Sequence, residues 1–87
     1  MAIITKKITP EFFEQIKSGK KKFELRLADF EIKEGDLLIL EEWDSIKGER
    51  TGRKIEKYPT YILKFDLDKF EQKEEIIKHG LYVIQFD

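Results

Sequence analysis

Glycine, proline and acidic turn signals cut this chain into short segments, and more of these read as strands than as helices. About five segments have strand character and two have helical character, without the regular alternation that a parallel βαβ sheet requires. The expected fold class is therefore α+β: a small, mostly antiparallel β-barrel of about five strands with two flanking helices. No repeat, linker or low-complexity tract interrupts it, so residues 1–87 read as one domain.

Residues 2–8 are β-rich and suit an opening strand. Thr9-Pro10-Glu11 then starts a helix: threonine caps, proline fits the first helical position, and the glutamate complements the helix dipole. Phe12, Phe13 and Ile16 supply its apolar stripe, and Gly19 suits the residue just past its end. From Lys22 to Leu27 charged and apolar residues alternate strictly, the period of a half-buried strand. Glu34-Gly35-Asp36 signals a turn. Leu37–Leu40 is an apolar run that suits a strand covered on both faces, extended by Glu41, Glu42 and Trp43. Residues 44–53 read as a loop, and residues 54–65 as a strand with Pro59 at a bulge or edge. Asp68-Lys69-Phe70-Glu71 resembles a capping box opening a second helix. Gly80 closes that helix, with His79 capping carbonyls beside it, and residues 81–86 form the closing strand.

The chain contains no cysteine, which excludes disulfides, thiolate catalysis and cysteine-based zinc sites. With His79 as its single histidine, no metal centre is expected, and nothing calls for a cofactor. No apolar run approaches the ~20 residues of a membrane span, and the N-terminus lacks the form of a signal peptide. The expectation is a cytoplasmic protein without a membrane partner. A net charge of -1 means that any nucleic-acid role must rest on a local patch.

Such a patch lies at Gly19-Lys20-Lys21-Lys22-Phe23-Glu24-Leu25-Arg26, which has the form G-x-K-x-x-E-x-R. Glu24 and Arg26 would share one strand face about 7 Å apart. The arginine fork suits a phosphate or a base edge, and the glutamate can orient it. The blander reading is a surface ion pair on a strand. Residues 16–26 hold five basic residues against one acid, Glu24, which is either a solvated helix end or a phosphate-facing surface. Arg50, Arg53, Lys54 and Lys57 form a second basic stretch. Trp43, at a strand end, is the aromatic best placed to stack on a base; Tyr61 and Tyr82 read as core.

Together with Gly35-Asp36-Leu37-Leu38-Ile39-Leu40-Glu41-Glu42 and Thr51-Gly52-Arg53, the first motif resembles the ASCH branch of the PUA-like β-barrels, in order over residues 5–86. The resemblance implies a PUA-like barrel with a cleft near the motif and an RNA or nucleotide ligand. Lys21, Glu24 and Arg26 match directly, and Lys20, Trp43 and Arg53 complete the expected ligand-binding set. Members of the subgroup often carry a histidine before the first helix, where this chain has Lys6-Lys7.

Three functions follow. The first is a module binding RNA or a nucleotide. The second is an amidohydrolase acting on an acylated cytidine, as in some ASCH relatives. There a lysine beside the motif glycine assists a threonine, but this chain has no serine or threonine from Lys20 to Leu27. The third is a protein-interaction domain using the acidic helix around Glu71, Glu74 and Glu75.

Overall fold

The computed structural model describes residues 1–67 and 73–87. In chain order the described elements are β1 (Ile3–Ile8), α1 (Pro10–Lys17), β2 (Leu37–Asp44), β3 (Glu49–Lys57) and α2 (Lys73–His79). The fold is α+β, with one open sheet in the order β1-β2-β3. The capping box read at Asp68–Glu71 lies outside the described residues.

The apolar run Leu37–Leu40 becomes the first half of the central strand, which is flanked on both sides. β1 lies parallel to it, from Ile3 beside Leu37 to Ile8 beside Glu42. β3 lies antiparallel on the other side. The parallel ladder corrects the expectation of a mostly antiparallel sheet. A parallel pair needs a crossover of a dozen residues or more, and α1 with the long connection after it supplies one.

Helix α1 covers the sheet. Pro10 occupies its first turn, where a missing N–H costs nothing. Phe13 and Ile16, three apart, face the sheet and form the core with Ile8 and Leu40; Leu38 and Ile55 pack against its edge. Leu40 and Phe13 are the most enclosed, at 1% and 2% exposure. After Ser18 the chain turns through Gly19 at φ +83°, a left-handed conformation that favours glycine. The Gly19 N–H donates to the Ile16 carbonyl and the Lys21 N–H to that of Gln15.

Asp36 ties the two parallel strands at their start. Its carboxylate accepts from the N–H groups of Ala2 at 2.9 Å and Lys33 at 2.8 Å. Those donors, Ala2 first, hold its pKa below the usual carboxylate range.

Other segments differ from their sequence reading. Residues 44–53 are not a loop. Asp44 accepts from the N–H groups of Ile46 and Lys47, so a tight turn joins β2 to β3 and most of the span is strand. β3 ends at Lys57, short of the strand expected over 54–65, because the proline at 59 interrupts the ladder. Residues 22–27 and 81–86 carry no sheet pairing, and Leu25, Leu27 and Tyr82 are exposed. Alternation specifies a pleated surface, but not the neighbour its backbone groups need. The described sheet is thus three-stranded and open rather than a closed five-stranded barrel. His79 pairs with Glu75 at 3.2 Å rather than capping carbonyls. Tyr61 and Tyr82 are exposed, not core. Among the described residues no helix is long and apolar enough to cross a membrane.

Candidate functional site

The end of β1, the start of α1 and the segment after Gly19 enclose a cleft of about 760 Å³. Lys7, Thr9, Phe12, Lys20, Lys21 and Glu24 line it, as do Arg26 and Gln85.

Glu24 organises this cleft. The Lys21 ammonium donates to its Oε1 at 3.1 Å, and Arg26 Nε donates to its Oε2 at 2.9 Å. Both carboxylate oxygens are therefore engaged by cations. The Lys21 and Glu24 side chains are only 12% and 15% exposed, so this is not the solvated surface pair of the blander reading. The Lys21 ammonium also lies over the Phe12 ring, 4.3 Å from its centre, and 5.1 Å from that of Phe23. Arg26 Nη2 donates to the Lys7 carbonyl, which ties the motif to β1. The motif therefore forms a chain of charges, two cations on one carboxylate, with Arg26 braced at two points rather than extended as a free fork.

Gln85 joins the cleft from the far end of the sequence. Its Oε1 accepts from the Lys22 N–H at 2.6 Å and its Nε2 donates to the Lys20 carbonyl at 3.3 Å. One carboxamide thus meets the backbone on both sides of Lys21, as a neighbouring strand would.

Arg53 and Trp43 are not brought into the cleft. Thr51-Gly52-Arg53 forms a bulge on β3. Glu41 faces Lys54 and Trp43 faces Arg50, so the three residues oppose Glu42 alone. The arc wraps that one buried glutamate. Thr51 Oγ1 donates to Glu42 Oε1 at 2.7 Å, and Arg53 donates from Nε at 3.0 Å and from Nη2 to Oε2 at 2.8 Å. Arg53 Nη2 also meets Glu14 of α1, and the guanidinium lies 4.5 Å from the centre of the Phe13 ring. Arg53 thus fastens helix, centre strand and hairpin. Glu42 and then Glu14 hold its guanidinium charged more firmly than usual. Arg53 first, then Thr51, hold the Glu42 carboxyl below the usual carboxylate range.

Gly52 makes the arc possible, at φ +95° with open space where a Cβ would stand. Gly52→Ala meets no clash but keeps the left-handed strain. We expect a loss of about 1–2 kcal/mol in a urea melt.

Asp36 and Glu42 also set an acid limit. Both are more acidic folded than unfolded, so their contribution is complete above the ordinary carboxylate values near pH 4. It is lost as pH falls through their folded values. Circular dichroism should show stability falling below about pH 4, and Glu42→Gln should be less stable at neutral pH with a shallower acid slope.

Trp43 is half-buried rather than an open platform, and the Lys7 ammonium sits 3.8 Å from the centre of its ring system. Sequence reasoning missed Lys7, Phe12, Phe23 and Gln85 as parts of the site. Phe23 was legible as an apolar residue within the motif and Phe12 as one on the preceding helix, whereas nothing in the spacing connects Gln85 to Lys20.

A family profile described as a domain of unknown function, DUF3850, matches residues 5–78. The chain belongs to that family. The matched span takes in both the Lys21–Glu24–Arg26 cluster and the Glu42–Thr51–Arg53 bulge, so both lie within the DUF3850 domain. An uncharacterized 12.9 kDa protein encoded in the GpA 3′ region of Escherichia phage P2 is 42% identical over 50 residues. That match takes in 58% of this chain and 44% of the phage protein, so the chain spans under half the length of this relative.

Proposed function

We propose that the cleft binds a nucleotide or a short single-stranded RNA segment, in a cytoplasmic domain resembling the ASCH branch of the PUA-like proteins. The observation that carries this reading is the convergence of Lys21 and Arg26 on Glu24 in one cleft walled by Phe12 and Phe23. Its volume falls within the roughly 300–1,000 Å³ of small-molecule sites. Cations outnumber acids along its wall, which suits an anionic ligand, and aromatic walls suit a base. We also propose that residues 22–27 and 81–86 pair to extend the sheet towards a barrel. Their alternation and the Gln85 contacts with Lys20 and Lys22 support this.

The test is titration of isotopically labelled protein with nucleosides, 5′-nucleotides and short single-stranded RNAs. Amide shifts should cluster at Lys21, Glu24 and Arg26 and weaken with salt. No shift at millimolar ligand would overturn the reading.

One feature favours the hydrolase alternative. Thr9 lines the same cleft as Lys21 and Glu24, and its side chain makes no capping hydrogen bond. It supplies the hydroxyl absent between Lys20 and Leu27. Acyl release from an acetylated cytidine in the same tubes, abolished in Thr9→Val, would put catalysis first.

A further inference from the structure

The two motif cations have internal work. Lys21 is committed to Glu24 and two rings, and Arg26 to Glu24 and the Lys7 carbonyl. One carboxylate holds both cations in place, so the cluster keeps a single surplus charge on donors that are already engaged, and a ligand anion is better met by a cation with no carboxylate partner.

Among the described residues Lys7 and Lys20 both line the cleft without a carboxylate partner, and of the two it is Lys7 that an aromatic ring holds in place. Lys7 lies at the end of β1 on the cleft wall. Its carbonyl is braced by Arg26, and its ammonium rests over Trp43, 3.8 Å from the ring centre. An aromatic face attracts a cation without neutralising it, so the side chain is positioned while its charge persists. Its register partner on β2 is an acid, Glu41, which pairs with Arg50 instead. Among the described residues no carboxylate lies within ion-pair distance of Lys7.

We propose that Lys7, positioned by Trp43, meets the phosphate of the bound ligand, so that the site prefers a phosphorylated ligand to the bare nucleoside. This rests on the nucleotide reading of the cleft and assigns a different residue to the anion from the motif's own arginine. Trp43 acts here as a positioning residue, not as a stacking platform. The phosphate is either a terminal 5′-phosphate or a phosphodiester within RNA.

The test uses the full chain and isothermal titration with three probes for each base: the nucleoside, its 5′-monophosphate, and a dinucleoside monophosphate. In the wild type at least one phosphorylated probe should bind roughly tenfold or more tighter than the nucleoside, as a charge-assisted contact provides. The better of the two identifies the source of the phosphate. Lys7→Ala should abolish the gap and reduce the salt slope of the phosphorylated probe by about one. Lys7→Arg should restore most of the gap. Trp43→Leu should narrow it while the Lys7 charge remains. Circular dichroism of each variant establishes that it is folded. Equal wild-type affinity for nucleoside and phosphorylated probes overturns this proposal but leaves the cleft as a nucleoside site. A Lys7→Ala loss equal for all probes overturns it as well. Binding of none of the probes overturns both readings.

Discussion

Phe13→Ala should cost the protein about 3–5 kcal/mol, the range for removing a buried aromatic. A domain of this size has a total stability of only about 5–10 kcal/mol, so much of the population should unfold near physiological temperature. The site explains why the loss sits at the high end. Phe13 is 2% exposed and packs with Ile8, Ile16 and Leu40, the contact through which α1 grips the sheet. Its ring also backs the Arg53 guanidinium. The substitution opens a cavity and removes that support together. Urea unfolding followed by circular dichroism measures it, and Phe13→Leu, which keeps most of the volume, should lose much less. A Phe13→Ala protein as stable as the wild type would mean that α1 does not depend on this contact.

Glu24→Gln should weaken ligand binding about a hundredfold or more with little loss of fold, as expected when a charged hydrogen-bonded hub is removed. The shape is kept and the charge is not. Lys21 and Arg26 lose their shared anchor, and the two cations then repel each other within the cleft. Arg26 retains the Lys7 carbonyl, so the backbone path should persist. The readout is nucleotide affinity by calorimetry beside an unchanged circular dichroism spectrum. Unchanged affinity would make the cluster a structural brace and remove the main support for a ligand in this cleft.

Local chemistry explains what was legible in the sequence. Helix α1 announces itself through Thr9-Pro10 at one end and Gly19 at the other, with its buried face spelled out by Phe13 and Ile16. The centre strand announces itself as an uninterrupted apolar run. The cluster of Lys21, Glu24 and Arg26 was visible too, because all its members lie within a few residues of one another. Pairing between distant segments was not visible. The parallel β1–β2 ladder depends on how the crossover packs, and alternation in residues 22–27 fits a strand whether or not a neighbour exists. The hairpin was hidden because Asp44, Ser45, Gly48 and Gly52 have loop composition, although two of those positions belong to strands. Arg53 was expected at the ligand through the family resemblance and Trp43 as an aromatic at a strand end. The first is occupied by a glutamate eleven positions away, and the second by Lys7 from another strand.

The arc around Glu42 has a consequence for how this hairpin can change length. Between the pairs on either side of it, β2 advances two residues while β3 advances four. The surplus is even, so side chains beyond the arc keep the same face as those before it, and Trp43 stays opposite Arg50. Because strand faces alternate with a period of two, a single-residue insertion or deletion here would turn the outer half of the hairpin over, moving every face-specific contact to the wrong side. Removing two residues would erase the arc but preserve parity. Length variation at this point should therefore come in pairs.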